Sequence, residues 1–186
     1  MIERMKRLNR ELKYQGTILD VYRDTMEFPD GSHEEWDFIS HRMGAAAILP
    51  VLPDGRIVMV RQYRNALERE TLEIPAGCRD SKTEDTGLCA AREMEEETGY
   101  KSEHVEHLLS LRTTVAFCDE FVEIYVATDL QPGTRHLDSA ESIDVEIYSL
   151  EELCQMIYDG KIQDGKTVSA IMAYSNRVKS SVSGQQ

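Results

Sequence analysis

Apolar and polar residues alternate along several short stretches of the chain, and this spacing predicts β-strands. Pro-Asp-Gly sequences separate two pairs of these stretches, at 29–31 and 53–55, which predicts tight turns between paired strands. Strands are therefore expected to outnumber helices. The strand-like segments are 17–28, 33–42, 45–52, 56–63, 71–77, 107–117, 120–130 and 142–149.

Three other segments predict helices. The first covers residues 86–98 and is closed by Gly99, and the others cover 149–159 and 166–179. Ser149 stands where a helix N-cap is expected, with acidic residues in the turn that follows. Few helices interspersed among many strands predict an α/β (α+β) fold, in which helices cover a mixed central sheet as an α/β/α sandwich.

The same pattern divides the chain into three parts. Residues 1–42 are expected to form an N-terminal extension, in which a short helix or mobile arm over 1–13 precedes an antiparallel β-hairpin. Residues 43–179 are expected to form the main domain. The polar segment 180–186 has the composition of a disordered tail.

Charge and composition narrow the possible partners. The 186 residues include 34 acidic and 21 basic side chains, for a formal net charge of -13. An acidic surface argues against nucleic acid as a partner, although a few local cations can still hold a small anionic ligand. No apolar run is long enough to cross a bilayer, so we expect no membrane partner and a cytoplasmic location. The four cysteines form no CxxC pair, and we expect reduced thiols.

The predicted helix 86–98 carries an unusual cluster of acidic residues. At about 100° per residue, Glu93, Glu96 and Glu97 share one arc of the helix, while Glu95 points away. Like charges at this spacing cost roughly 0.2–0.5 kcal/mol per pair, and they lie beside the stripe of small and apolar residues that docks on the sheet. A solvated acidic face is one interpretation, and a site for Mg²⁺ or Mn²⁺ is the other.

The wider spacing around this cluster favours the metal site. From Gly77 the chain reads GCRDSKTEDTGLCAAREMEEETGY, which resembles the Nudix box G-x5-E-x7-R-E-U-x-E-E-x-G-U, where U is a bulky apolar residue. Six residues instead of five separate Gly77 from Glu84, and the extra residue lies in the loop before the helix. The matching positions are Gly77, Glu84, Arg92, Glu93, Met94, Glu96, Glu97, Gly99 and Tyr100.

The resemblance implies a Nudix-type sandwich that hydrolyses a nucleoside diphosphate linked to another group. By the family pattern, Glu93, Glu96, Glu97 and the backbone carbonyl of Ala76 bind divalent cations, Mg²⁺ or Mn²⁺, two or more per site. Glu96 and Glu97 are thereby also catalytic residues. The remaining box residues have a structural role in the family: Gly77, Glu84, Arg92 and Gly99, with a salt bridge between the Glu and the Arg.

Residues outside the box resemble the ADP-ribose pyrophosphatase group. The run VRQYRNALERETLEIPAG, 60–77, is similar to the group's RQYR and PAG segments, and DGKTVSAI, 164–171, to its last helix. The resemblance implies substrate contacts, each with an ordinary structural role as its alternative: Arg64, Glu73, Glu120 and Trp36. For the catalytic base on the loop before the last strand, Glu141 fits best, with Asp138 and Asp144 as rivals.

The implied substrate is ADP-ribose, which would give AMP and ribose 5-phosphate. The group often has a proline where this chain has Val115, so a GDP- or UDP-sugar stays open, as does a non-catalytic domain that senses a nucleotide. In the resembled group the N-terminal strands cross onto a partner subunit. The apolar residues of 14–42 suit such an interface, and we expect a homodimer.

Overall fold

The computed structural model describes residues 4–137 and 142–183. Its twelve strands and three helices within these residues cover most of the chain. In order they are β1 (Lys6–Gln15), β2 (Leu19–Glu27), β3 (His33–His41), β4 (Ala45–Pro50), β5 (Ile57–Arg64), β6 (Arg69–Glu73), β7 (Ala76–Cys78), α1 (Thr86–Thr98), β8 (Tyr100–Lys101), β9 (His104–Arg112), β10 (Phe121–Thr128), β11 (Gln131–Pro132), β12 (Ile143–Tyr148), α2 (Leu150–Tyr158) and α3 (Gly165–Ser183).

The N-terminal extension is a three-stranded antiparallel sheet in the order β1-β2-β3. The predicted hairpin is present as β2 and β3, which turn at Gly31 with a φ of 82°. The short helix or mobile arm expected over 1–13 is wrong from Lys6 onward, because these residues pair with β2. Arg10 fixes that pairing: it donates two hydrogen bonds of 2.6 Å to Asp24 and stacks 3.7 Å above the ring of Phe38.

The main domain contains the predicted sandwich with a mixed sheet. One sheet has the order β7-β4-β10-β9, in which β4 and β10 run parallel and the other pairs antiparallel. A second, antiparallel sheet has the order β12-β5-β6. Because successive side chains of a strand point to opposite faces, β4 sends Ala46 and Ile48 into one apolar core and Ala47 and Leu49 into another.

The two cores lie on opposite sides of the sheets. The α1 core packs that helix on the strands through Ala46, Ile48, Val58, Cys89, Ala90, Met94, Ala127 and Leu130. The α2/α3 core covers the other face. Its buried members are Ala47, Leu49, Val51, Ile57, Met59, Leu72, Ile74, Val122, Ile124, Val126, Leu153, Ile162, Ala170 and Ile171.

Helix α1 has the predicted bounds. The Asp85 side chain caps its N-terminus by accepting from the backbone N–H groups of Gly87 and Leu88 at 2.9 and 3.0 Å. Gly99 closes it in the left-handed conformation, with a φ of 74°. In the loop before the helix, which carries the extra residue of the box, the Arg79 side chain donates to the carbonyl oxygens of Met43 and Lys82 at 2.7 and 2.8 Å.

Helices α2 and α3 follow the last strand. Ser149 and Glu152 form a reciprocal capping box at the start of α2. Helix α3 continues to Ser183, so the disordered tail expected from residue 180 is wrong for 180–183, and 184–186 lie outside the described residues. None of the helices in the described part of the chain is long and apolar enough to cross a membrane.

The α1 core generates a test of stability. Met94 is fully buried beneath the helix, and Met94→Ala should lower the free energy of unfolding by about 3 kcal/mol, because it removes buried apolar surface and leaves a cavity. Leu88→Ala on the same helix is the matched control, since Leu88 is 70% exposed. Urea unfolding measures both. Equal losses in the two variants would contradict the assignment of the core face.

Candidate active site

The acidic arc of α1 lies against strand β7. Glu97 is only 3% exposed, and its Oε2 accepts a hydrogen bond of 3.2 Å from the backbone N–H of Ala76. The carboxylate of Glu93 packs directly on Gly77, where an added Cβ would lie 2.2 Å from it. Glycine is therefore required at this position by close approach, and the Ala76–Gly77 backbone and the carboxylates of α1 form one surface.

Arg92 ties this surface together. Its Nη1 donates to Glu93 at 2.8 Å and to Glu96 at 3.1 Å, and its Nε lies 3.4 Å from Glu84 Oε1, as the predicted salt bridge requires. Burial lowers the pKa of Arg92, but Glu93 and Glu84 outweigh it and the pKa is raised. Glu84 in turn accepts from the backbone N–H of Asp80 at 2.6 Å, which fixes the loop before the helix.

The donors suit a hard divalent cation by their chemistry. Carboxylate and backbone carbonyl oxygens are the ligands that Mg²⁺ and Mn²⁺ prefer, and Glu93, Glu96, Glu97 and Ala76 supply them within one turn of helix and one strand residue. In the described residues, however, no three His, Cys, Asp or Glu side chains meet in an arrangement that could hold a metal ion. Glu93 and Glu96 point to Arg92 instead.

Two cavities meet at strand β7, and Ala76, Gly77 and Cys78 line both. The larger, which we call the cleft, has a volume of about 540 Å³. The smaller has about 390 Å³ and lies over Glu93, Glu96 and Arg92. The cleft brings together residues from four parts of the chain, including Arg64, Ala76, Gly77, Cys78, Thr113, Glu120, Asp164 and Lys166.

Buried Glu73 positions two cations in the cleft. It is 1% exposed and accepts two hydrogen bonds of 2.7 Å from Arg64, one of 2.6 Å from Thr71 and another from Lys166 Nζ. Burial raises the pKa of Glu73, but Arg64 and Lys166 outweigh it and lower the pKa from 4.5 to about 2. Glu73 thus reaches the cleft only through its basic partners.

Lys166 has no role in the sequence prediction, although it lies in the DGKT segment. Its Nζ is also 2.9 Å from Asp164, whose carboxylate accepts the backbone N–H of Thr167 at 3.0 Å and so caps α3. The Thr167 hydroxyl accepts from the N–H of Ile74 on the β6 side at 3.1 Å. These contacts across the fold place Lys166 beside Arg64.

Glu120 also lines the cleft. Its Oε2 accepts from the Thr113 hydroxyl at 2.8 Å, and its Oε1 lies 3.7 Å from His41 Nε2. His41 Nε2 is also 3.9 Å from the thiol of Cys78, which is a free cysteine as expected. The loop position Val115, where the resembled group often has proline, is 82% exposed.

Trp36 lies apart from the cleft. Its indole N–H donates to Glu34 at 3.2 Å, and its ring meets Phe28 edge-on at 6.1 Å. It lines a separate depression between the N-terminal sheet and the loop that contains Phe117. A role for Trp36 in base stacking stays a prediction.

Of the three candidates for the catalytic base, the structure describes Asp144. Glu141 and Asp138 lie outside the described residues. Asp144 is exposed on β12 and pairs in register with Arg61 of β5. The alternation of the strand directs Val145 to the α1 core, so Asp144 points to the other face of the sheet, away from the carboxylates of α1.

Comparison with known proteins agrees with this geometry. A family model described as the NUDIX domain matches residues 41–171. The chain belongs to the Nudix family and is a Nudix hydrolase.

Its curated relatives support the ADP-ribose pyrophosphatase-like group within that family. The chain is 38% identical over 168 residues to a methanol dehydrogenase activator of Bacillus methanolicus and 34% identical over 168 residues to an ADP-ribose pyrophosphatase of Bacillus subtilis (strain 168). Each match covers 89% of this chain and 90% of the relative. A solved ADP compounds hydrolase has the same fold, with a TM-score of 0.88, 22% identity and coverage of 97% of both chains.

The Glu73 cluster predicts a specific loss of stability in acid. A depressed pKa contributes stability above the unfolded value of about 4.5, and that stability is lost as the pH falls towards about 2. At pH 6, Glu73→Gln should destabilise the fold by about 3 kcal/mol, because it breaks a buried ion pair. Urea unfolding of both proteins should show this difference shrinking between pH 4.5 and pH 3. A difference that is independent of pH would contradict the ion-pair account.

Proposed function

We propose that this Nudix hydrolase cleaves the pyrophosphate bond of ADP-ribose or a related nucleotide sugar in a reaction that needs Mg²⁺ or Mn²⁺, giving AMP and a sugar phosphate. The observation that carries the proposal is the junction at β7. There, the carboxylates of α1 adjoin a cleft that presents Arg64 and Lys166. The carboxylates suit metal ions that would bind one end of a diphosphate, and the basic side chains of Arg64 and Lys166 suit its other oxygens.

Each part of the junction has a separate task in this proposal. Glu93, Glu96, Glu97 and the Ala76 carbonyl would hold two or more cations, which supply Lewis-acid polarisation of the diphosphate and a water of lowered pKa. Arg64 and Lys166 offer hydrogen-bond donors to phosphate or ribose oxygens.

Two further residues have roles in this proposal, one as the base that activates the reacting water and one in orienting the substrate. We assign the general base to Glu141, as the resemblance implies. Glu120, which lines the cleft and is held by Thr113, would orient the substrate.

Two observations bear on the choice of nucleotide. ADP-ribose is favoured by the similarity to the Bacillus subtilis ADP-ribose pyrophosphatase, while Val115 at the usual proline position leaves GDP- and UDP-sugars as competitors. Initial rates on ADP-ribose, GDP-mannose and UDP-glucose, with AMP, GMP and UMP measured as products, decide among them. No nucleotide product from any of the three would refute the hydrolase proposal.

Metal-dependent catalysis should depend on Glu97. Glu97→Gln should lower kcat about 100-fold or more, since a neutral amide is a poor ligand for a hard cation, while the far-UV spectrum stays unchanged. Glu95→Gln is the control on the same helix, because the Glu95 side chain points away from the other three carboxylates and accepts from the Thr134 N–H at 3.1 Å. Full activity of the wild type in excess chelator would contradict the proposal.

The N-terminal sheet supports the proposal of a homodimer. Strand β1 is exposed along nearly its whole length, and no strand among the described residues pairs with its outer edge, which is the type of edge that a second subunit covers. Of the apolar residues that we expected at the interface, Ile18 and Trp36 are exposed and Val21, Met26 and Phe38 are partly buried. The sheet is attached to the main domain at Ile39, whose N–H donates to Phe117 O at 2.7 Å.

A charged residue on β1 tests this assembly. Leu12→Asp should shift the sedimentation coefficient at micromolar concentration from dimer to monomer, because it places an unpaired carboxylate in a dry interface. Leu88→Asp is the control, because Leu88 is an exposed residue of α1, and this change should leave the dimer intact. A wild-type protein that sediments as a monomer and has normal turnover would refute the proposed homodimer.

A further inference from the structure

Strand β5 contains a side chain that the site described so far does not explain. Among the residues that the structure describes, Gln62 Nε2 is the one buried side-chain nitrogen or oxygen without a hydrogen-bond partner. A buried donor with no acceptor destabilises a fold, and such groups are rare in native proteins. We therefore expect Gln62 Nε2 to gain a hydrogen-bond acceptor when the protein binds its ligands.

The register of β5 fixes the direction of Gln62. Val58 belongs to the α1 core, and residues two apart on a strand share a face, so Gln62 and Arg64 also point towards α1. Gln62 pairs with Thr71 on one side and with Ile143 on the other. It therefore occupies the middle of the sheet, on the face that carries the Arg64–Glu73 pair.

Glu97 approaches this position from the helix. Its backbone carbonyl accepts from Arg135 Nε at 2.7 Å, and the same guanidinium donates to the carbonyl of Ile143, the register partner of Gln62. The last turn of α1 is thus tied to the strand beside Gln62.

We propose that Gln62 is a positioning residue that donates from Nε2 to the Glu97 carboxylate when Glu97 binds a divalent cation. This inference rests on the proposed function, because it assigns Glu97 to the metal. A carboxylate has about four acceptor positions, so it can accept from Gln62 as well as from the Ala76 N–H. Contacts of this kind orient metal ligands and typically change metal affinity 10- to 100-fold when they are removed.

The test replaces the amide with an apolar side chain of similar length. Without metal, Gln62→Met should raise the Tm by roughly 2–4 °C, because the orphaned donor is gone. With metal, it should raise the Kd for Mn²⁺, measured by titration calorimetry without substrate, about 10-fold or more. Its lowered kcat should recover as Mn²⁺ is raised to saturation. Gln131→Met on exposed β11 is the matched control and should change neither Tm nor Kd.

The outcomes separate this inference from the proposed function. A lower Tm in both Gln62→Met and Gln62→Leu would show that the amide is satisfied structurally and would overturn the inference. An unchanged Kd for Mn²⁺, or a wild type that binds no Mn²⁺, would overturn it as well. If the wild type binds Mn²⁺ with the expected dependence on Gln62 but hydrolyses no nucleotide sugar, the proposed function fails and the positioning role stands.

Discussion

The close approach of helix α1 to strand β7 is the constraint on which the rest of the site depends. A carboxylate can lie on the backbone of Gly77 only because no side chain separates them, and a second one receives the N–H of Ala76. The helix reaches this distance through small residues, since Ala90 and the β4 residue Ala46 are fully buried between it and the sheet. Packing thus positions the acidic residues, and Arg92 between Glu93 and Glu96 offsets part of their mutual repulsion.

Opposite charges in the cleft are held by the same principle. The chain is strongly acidic as a whole, yet Arg64 and Lys166 are concentrated at one place because buried Glu73 binds both. Compared with apolar side chains of similar size, a buried ion cluster adds little stability, since desolvation offsets most of its attraction, whereas removal of one partner is costly. What it provides is a fixed direction for two flexible basic side chains before any ligand arrives, which reduces the reorganisation that binding would otherwise require.

Sequence patterns predicted the parts of the site that belong to one continuous element. Glu93, Glu96 and Glu97 share an arc because the period of a helix is fixed, and the bridge between Arg92 and Glu84 is what the resemblance to the Nudix box implies. Lys166 and Gln62 carry no such signal. Their positions depend on how α3 packs on β6 and on the register of β5 with β12, which only the tertiary fold determines. Strand β1 escaped prediction because its residues are mostly polar and its order comes from Arg10 and Asp24.

The parallel pairing of β4 with β10 has a consequence for how the protein reaches its native state. Ala45 lies beside Val122 in this pair, so more than a third of the chain must be synthesised between two strands that are neighbours. Strand β4 also pairs with β7, so the strand that lies against the carboxylates of α1 is connected to β10 through β4. Pairings over such sequence distances form slowly. Helix α1 is built from residues close in sequence and can therefore form early. The cleft beside its carboxylates also includes Glu120 and Lys166, so it is completed only when the C-terminal half has folded.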